Sequence, residues 1–399
     1  MNRLVSILGL CIMLLLAWLL SLHKKRMNLR LILSGLGLQF VLAVLLLWTT
    51  PGQWFFEHAR LAVTQITQFS DVGAAFVFGE GFREHRFAFS LLPTIIFVSS
   101  LMTVLFYLGV IQKIIEAMAK IMVWLMDVSG SESLATTANV FIGMAEAPLV
   151  IRPYLQTMTR SELMAMMTGG MATISGALLA VYTGMGLDAG HLLTASIISA
   201  PAALVIAKIM IPETEPSSTK GTVTITVPRQ DANVLDAACR GAVDGLKLAL
   251  NILAVLICFI AFVALFNWLL SLLPQVAGEP LTLERIFGWL FAPLAWVIGV
   301  QWEDAAAVGM LIGKKVALNE FLAYVDLVTL KDTLHPRSVT IATYALCGFA
   351  NFGSVAIQIG GYSTLVPSRR KEFAQLGLRA MAGGLLASCM TAAIAGILI

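Results

Sequence analysis

Two carboxylate side chains stand inside apolar stretches of this sequence, where an ionisable group is unusual. Glu146 occurs in GMAEAPL, and Glu320 occurs in KKVALNEFLAY. A charge inside a membrane is costly and is functional by default. We therefore predict that both glutamates contact a small polar solute. The structural alternatives are an ion pair with Arg152 or a hairpin cap for Glu146, and an ion pair with Lys314 or Lys315 for Glu320.

A neutral amide lies in a third segment that is rich in helix breakers. Asn351 occurs in GFANFGS, where it and the two glycines Gly348 and Gly353 disfavour a continuous helix. Its side chain offers both donors and an acceptor to a solute, although it could instead form an interhelical hydrogen bond. Phe349, a lipid-facing or core residue by default, could stack on a flat base.

Asn139 and Thr173 offer neutral oxygen atoms close to breaks in their own segments. Together with backbone carbonyls they could hold a hard cation, although such residues also serve as contacts between membrane helices. The sequence contains no evident nucleophile and base pair, metal cluster or phosphate loop, so we do not expect an enzyme. The net charge of +3 gives no reason to expect nucleic acid as a partner.

The composition is that of a membrane protein with several spans. Of 399 residues, 58% are hydrophobic and 12% are charged, whereas soluble domains carry about 25% charged residues. The mean hydropathy is +0.87. Because a helical span needs about 20 apolar residues, we predict an all-α, multi-pass membrane protein with eight crossings. They fall near residues 4–22, 31–49, 88–111, 163–186, 190–211, 245–273, 338–361 and 377–398.

Other segments are expected at the membrane surface or in water. Residues 112–128, 282–299 and 52–70 are predicted to be interfacial helices, because charged side chains gather on one side or because Pro and Trp interrupt the apolar pattern. The stretch 212–240 is polar and rich in Pro, Ser and Thr. It is predicted to be an exposed linker between two halves of the chain.

The basic loops predict the orientation in the membrane. Clusters of Lys and Arg follow the first, fifth and seventh predicted spans, and all three loops fall on one side. By the positive-inside rule this side is the cytoplasm, so both termini are expected on the outer side of the cytoplasmic membrane. Arg83 and Arg86 are the contrary signal.

The two halves of the chain share a pattern. In each half a short segment with a glutamate precedes a span that is rich in Gly, Ser, Thr or Asn at mid-depth. Hairpins and unwound helices of this kind are tolerated only where protein or water covers them, and they are typical of secondary transporters with repeated halves. A passive channel or facilitator is the alternative.

At these residues the sequence resembles the concentrative nucleoside transporters. The resemblance rests on SESLATTANVFIGMAEAPLVIRPYL, MTRSELMAMMTGGMATISG, ALNEF and ALCGFANFGSVAIQIGG, in this order, and more weakly on DVGAAFVFGE. It implies a homotrimer that imports nucleosides with a Na⁺ gradient or, in some relatives, an H⁺ gradient. It also implies eight spans, two re-entrant hairpins, interfacial helices, an inverted repeat and an elevator-like motion.

On this resemblance the chain divides into four parts. Residues 1–111 would form N-terminal scaffold helices, and 112–211 a first transport repeat with hairpin 1 and spans four and five. Residues 212–281 would hold a cytoplasmic linker and the long scaffold span six, which makes the trimer contact. Residues 282–399 would form a second transport repeat with hairpin 2 and spans seven and eight.

The resemblance also implies roles for individual residues. The nucleoside would be bound on its ribose side by Glu320, Asn351 and Ser354. It would be bound on its base side by Glu146, Phe349 and Leu178, with the hairpin residues Gly143, Met144 and Ala145 beside them. Sodium would be held by Asn139, Thr173 and, through their carbonyls, Ile142 and Ile174.

One departure from the family pattern concerns the base. Members often carry Gln followed by Thr or Ser directly before the hairpin glutamate, whereas this chain has Met144 and Ala145. A site that loses hydrogen-bonding partners discriminates less between bases. The ordinary preference for uridine is therefore not expected, and a more apolar pocket would favour purine or unusual nucleosides. Thr173 keeps a hydroxyl where Ser is usual, which favours Na⁺ as the coupling ion.

Overall fold

The computed structural model describes residues 2–79, 81, 91–144, 146–221, 231–276 and 278–399. Arg83 and Arg86 of the orientation argument, Ala145 of the predicted site and Glu80 of DVGAAFVFGE lie outside these residues. Within them the chain is helical, and extended pairing is limited to two isolated bridges. The all-α prediction is confirmed.

The helices of the first half carry the first predicted hairpin and the fourth predicted span. They are α1 (Asn2–Leu19), α2 (Leu29–Trp48), α3 (Thr50–Phe78), α4 (Leu92–Tyr107), α5 (Val110–Met126), α6 (Gly130–Ile142), α7 (Ala147–Val150), α8 (Arg160–Ala172), α9 (Gly176–Gly184) and α10 (Ala189–Met210).

The second half begins with the longest helix. Its elements are α11 (Val234–Ser271), α12 (Leu283–Val297), α13 (Trp302–Ala317), α14 (Glu320–Leu330), α15 (Pro336–Leu346), α16 (Phe352–Leu365) and α17 (Arg370–Leu398).

Several of these helices are long and apolar enough to cross a bilayer, as predicted for a multi-pass membrane protein. In the described part of the chain there are 6, or up to 8 if each of two bent helix pairs counts as one span. The set overlaps the predicted eight without matching it. It includes α3, which was predicted as an interfacial helix. It omits the first predicted span, because the apolar part of α1 is too short, and the seventh, because α15 and α16 are separate short helices.

Helix α5 has the amphipathic pattern expected at a membrane surface. It is bent by 73° from α4, and it buries Ile111, Ile115 and the residues that follow them at helical spacing. Its opposite face carries an ion pair between Lys120 and Glu116, at 2.8 Å. The predicted polar and apolar sides of this segment are therefore confirmed.

Helix α11 touches the rest of the chain through a narrow stripe of small residues. Ala237, Gly241, Gly245 and Ala249 recur every four residues and are buried against α4. A side chain at Gly241 would collide with the backbone of α4, so the glycines allow the close approach that membrane helices use. Most other α11 side chains are exposed, including Ile257.

The centre of the molecule is formed by α8, α10 and α17. Nearly every residue of α8 and α10 is buried, and both helices pack against α17. Shorter helices, among them α6, α15 and α16, pack against these buried helices.

The interrupted elements of the fold are the two predicted hairpins and two broken spans. The limbs of the first hairpin, α6 and α7, have 13 and 4 residues, and those of the second, α13 and α14, have 16 and 11. Each limb is shorter than the about 20 residues that a crossing needs. The fourth span is interrupted between Ala172 and Gly176, and the seventh between Leu346 and Phe352. The predicted breaks are confirmed.

A buried ionic cluster joins the N-terminal ends of α6 and α8. Each helix starts with a capping box, formed by Ser129 and Glu132 in α6 and by Thr159 and Glu162 in α8. Lys208 of α10 pairs with Glu132 at 2.7 Å. The S/T-x-x-E spacing of both boxes is visible in the sequence, but the partner lysine is far away along the chain.

Most of the described residues in the predicted linker 212–240 are exposed, as expected, but particular positions depart from the prediction. Glu213 pairs with Lys208 at 3.1 Å, and Thr219 is buried, with its hydroxyl 2.9 Å from that of Ser131. At the other end, α11 already begins at Val234. Glu213 and Thr219 therefore join this segment to the buried cluster, whereas the residues from Thr214 to Pro216 between them are exposed.

Candidate functional site

Glu320 lies at the centre of a buried hydrogen-bonded group. Its side chain is 5% exposed. Tyr182 donates to one carboxylate oxygen at 3.0 Å, and Asn351 donates to the other at 3.1 Å. The lysines proposed as alternative partners are engaged elsewhere, since Lys314 pairs with Asp326 at 2.7 Å and Lys315 donates to neutral oxygens.

Two helix starts position this group. Asn319 caps α14 by accepting from the backbone N–H of Leu322 at 2.9 Å, so Glu320 is the first residue of that helix. Asn351 caps α16 in the same way, accepting from Ser354 N–H at 2.8 Å. A helix N-terminus attracts negative charge, and here two of them converge on one carboxylate.

The interrupted seventh span makes this convergence possible. Between α15 and α16 the chain passes through Gly348, whose φ of 139° is accessible mainly to glycine. Phe349 lies in the same segment, buried, and its carbonyl accepts from the N–H of Asn351 at 2.8 Å. The predicted ribose-side residues Glu320, Asn351 and Ser354 are thereby brought together, with Phe349 adjacent to them.

Tyr182 belongs to this group and was not predicted. It lies one turn after Leu178 in α9, fully buried, with its ring 4.5 Å from that of Tyr324. In sequence it is one aromatic residue in an apolar run, which usually indicates core packing. The hydroxyl is the distinguishing feature, because a buried Tyr O–H usually has a partner.

If the solute is a nucleoside, as the sequence resemblance implies, Tyr182→Phe should weaken its binding by about threefold to tenfold. A hydrogen bond to a charged group contributes roughly 1.5–3 kcal/mol, and a ribose hydroxyl can replace part of it. The loss should be larger for nucleosides that lack a ribose hydroxyl next to Glu320, because they cannot supply the replacement donor. Competition uptake with ribosides and 2′- and 3′-deoxyribosides measures this difference.

Tyr324→Phe is the matched control for that substitution. Tyr324 is equally buried, but its hydroxyl donates to the carbonyl of Thr343 at 2.9 Å rather than to Glu320. It should change stability without changing the ratio between ribosides and deoxyribosides. If the ratio of riboside to deoxyriboside affinity is the same in both variants, Tyr182 contributes only to packing.

The first hairpin presents a more apolar surface. The chain leaves α6 at Gly143, with a φ of 82°, and reaches Glu146, which is exposed and precedes the short helix α7. Met144 is buried, and its carbonyl accepts from Tyr362 at 3.2 Å. Of the predicted hairpin residues, Gly143 and Met144 lie between α6 and α7.

Gln358 of α16 is a further polar residue on this side that the sequence did not suggest. It is buried, and its amide donates to the carbonyl of Met167 at 3.1 Å and lies 4.0 Å from the Met144 sulfur. Its side-chain oxygen is buried without a hydrogen-bond partner among the described residues. Gln358 thus places an unused acceptor beside the hairpin from which polar side chains are missing.

The predicted cation residues lie near the ends of α6 and α8, two helices that pack against each other. Asn139 is 0% exposed, its amide nitrogen donates to Ala135 at 2.8 Å, and its oxygen has no donor within the described chain. Thr173 follows α8 in an extended conformation, with its hydroxyl donating to Gly169 at 2.9 Å. Both oxygens keep free lone pairs.

Two backbone carbonyls complete the predicted set. Ile142 is the last residue of α6, where helix carbonyls lack intrahelical donors. Ile174 lies in the break after α8, and its carbonyl accepts a long hydrogen bond from Ser196, at 3.3 Å. Neutral oxygen atoms with unused lone pairs at two helix C-termini suit a hard cation, so these residues fit Na⁺.

One membrane helix is interrupted at a buried carboxylate, and a second is interrupted at a group of neutral oxygens. This arrangement is typical of a membrane protein that binds and transports a small solute. Family models agree with this class. The model described as "Na+ dependent nucleoside transporter C-terminus" matches residues 191–396, and the corresponding N-terminus model matches 8–81. A model described as "Nucleoside recognition" matches 88–188.

Individual relatives align over the whole chain. Solute carrier family 28 member 3 of Mus musculus is 42% identical over 100% of this chain, and sodium/nucleoside cotransporter 1 of Rattus norvegicus is 40% identical over the same share. The chain spans 59% and 64% of the lengths of these relatives. The structure of CNTnw in an inward-facing substrate-bound state superposes with a TM-score of 0.94, at 39% identity, covering 100% of this chain and 98% of that one.

The chain therefore belongs to the Na⁺ dependent nucleoside transporter family. The resemblance found in the sequence is confirmed, and the family is one of transporters rather than enzymes.

Proposed function

We propose that this protein imports nucleosides across the cytoplasmic membrane as a Na⁺-coupled symporter. The observation that carries the proposal is the buried Glu320 carboxylate, which is held by Tyr182 and Asn351 at the start of α14. The hydrogen-bond donors to Glu320 in the described chain are neutral groups, which the hydroxyls of a ribose can replace because both kinds of partner are hydrogen-bond donors.

The two ends of the nucleoside would meet different surroundings. Glu320, Asn351 and Ser354 would bind the ribose, while Glu146, Phe349 and Leu178 would face the base. The base side combines the apolar Met144 with the acceptor of Gln358, which is consistent with packing-based recognition of a purine or an unusual base.

The cation would act on the first hairpin. Na⁺ held by Asn139, Thr173 and the carbonyls of Ile142 and Ile174 would connect the end of α6 to the end of α8. This connection would fix Gly143 and Glu146 at the solute site. Coupling is reciprocal, so Na⁺ would raise the affinity for nucleoside and nucleoside would raise the affinity for Na⁺ by the same factor.

We further assign the architecture that this mechanism requires. Eight spans and two re-entrant hairpins would form an inverted repeat, with 112–211 and 282–399 as the moving transport repeats. The parts 1–111 and 212–281 would be the scaffold, and α11 would make the contact of a homotrimer in the lipid bilayer. Both termini would face the outside of the cytoplasmic (inner) membrane. The exposed apolar side chains of α11 support its place in the assembly.

The proposal is tested by uptake of labelled nucleosides in cells that lack their own nucleoside transporters. We expect accumulation above equilibrium that requires Na⁺, and a competition panel of purine and pyrimidine nucleosides then gives the base preference. Uptake that ignores Na⁺ but stops when the proton gradient is collapsed would make H⁺ the coupling ion. Uptake that never exceeds equilibrium would indicate a facilitator, and no uptake of any nucleoside would refute the assignment.

A further inference from the structure

Lys315 is a buried cation for which the proposed transport cycle has so far no role. It lies two residues before the end of α13 and is 0% exposed. Its ammonium donates to the carbonyl of Ala345 and to the hydroxyl of Ser388, both at 2.9 Å. The neighbouring Lys314 instead forms ion pairs with Glu284 and Asp326.

The hydrogen-bonding partners of Lys315 within the described chain are neutral, which is unusual for a buried ammonium. The Glu320 carboxylate interacts with Lys315 electrostatically without a hydrogen bond. Ala345 lies in the last turn of α15, which ends at Leu346. The last carbonyls of a helix lack intrahelical donors and carry the negative end of its dipole. Lys315 is thus held in the way that a free cation is held, by a helix C-terminus and a hydroxyl.

The candidate sodium residues occupy the matching place in the other half of the chain. Asn139 lies three residues before the end of α6, the first limb of hairpin 1, and Thr173 directly follows the first part of its broken span. Lys315 lies near the end of α13, the first limb of hairpin 2, and contacts the end of α15, the first part of the other broken span. We call these two places, where a hairpin limb ends beside a broken span, the first and second junctions. The first junction contains the Asn139 oxygen, which has no donor in the described chain, and the second contains the Lys315 ammonium.

We propose that Lys315 is a tethered cation that permanently fills, in the second half, the place that the coupling cation fills in the first. The inference rests on the proposed function for the role of the first junction. It has two consequences. The second hairpin and the break that presents Asn351 stay assembled without Na⁺, and only the first hairpin is gated by an exchangeable ion.

Lys315→Ala and Lys315→Met distinguish a role for the positive charge of Lys315 from a role in filling space. Alanine leaves a polar cavity that Na⁺ or methylammonium can enter, whereas methionine fills it without charge. We expect nucleoside uptake to fall at least about tenfold in both variants at low Na⁺, because two buried oxygens lose their donor. High Na⁺ or added methylammonium should restore Lys315→Ala alone, with a Hill coefficient for Na⁺ that rises from about 1 toward 2.

Lys314→Ala, one residue away on the same helix, is the control and should respond to neither ion. Tm values of the purified variants, with and without methylammonium, give a readout that does not depend on transport. A rise in Tm for Lys315→Ala but not Lys315→Met supports the tethered cation, and equal responses overturn it. Normal uptake by Lys315→Met would also overturn it. Failure of the proposed function would appear separately, as loss of Na⁺ dependence in the unmodified protein.

Discussion

Glu320→Gln is expected to lower the affinity for nucleosides on the order of 100-fold, since hydrogen bonds to a charged group contribute roughly 1.5–3 kcal/mol each. The structure adds a second reason for a large effect. Tyr182 and Asn351 each donate to a different oxygen of Glu320. An amide offers one oxygen and one NH₂ group, so one of the two donors would face another donor.

The measurement is nucleoside binding by the purified protein, together with the KM of uptake. Glu303→Gln is the matched control, because Glu303 is an exposed glutamate on the first limb of the same hairpin. It should leave both quantities unchanged. If Glu320→Gln binds nucleosides normally, its carboxylate is structural and the ribose lies elsewhere.

Asn139→Leu is expected to raise the Na⁺ concentration needed for half-maximal uptake by at least about tenfold, or to abolish the response to Na⁺. Leucine has the same branched arrangement of side-chain heavy atoms, but it removes the oxygen that is buried without a donor in the described chain. A hard cation that loses one of a few oxygen ligands loses affinity, because an apolar side chain cannot replace the ligand. Nucleoside uptake as a function of Na⁺ concentration measures the change.

Thr137→Val is the control for this position. Thr137 is also buried in α6, but its hydroxyl lies 3.5 Å from the sulfur of Met122, away from the break in α8. It should alter stability more than the Na⁺ response. A normal Na⁺ response in Asn139→Leu would place the cation at other residues.

The features that could be predicted from the sequence are those with a local cause. Gly348, Asn351 and Gly353 interrupt a helix wherever it lies, and the break in the seventh span follows from them. The apolar and charged sides of α5 follow from helical periodicity in the same way. Glu320 was identified because an ionisable residue in an apolar stretch needs an explanation.

The features that were missed depend on contacts between distant segments. Tyr182 and Glu320 are 138 positions apart, so nothing near the tyrosine distinguishes its hydroxyl from a core residue. Gln358 reaches the hairpin across 214 positions. The ion pair of Glu213 and the burial of Thr219 were also missed, because their partners Lys208 and Ser131 belong to other helices. The composition of a segment gives its average polarity, whereas contacts with distant segments determine which of its side chains are buried.

The neutrality of the first junction determines how transport would respond to voltage. Asn139, Thr173 and the two carbonyls bring no formal charge, and a nucleoside is uncharged, so loading the proposed site adds one full positive charge to the moving part. Carrying one charge through a membrane potential involves about 2.3 kcal/mol of electrical work per 100 mV, which corresponds to about 50-fold in accumulation. A cell that is negative inside would therefore drive uptake electrically even where Na⁺ is equally concentrated on both sides.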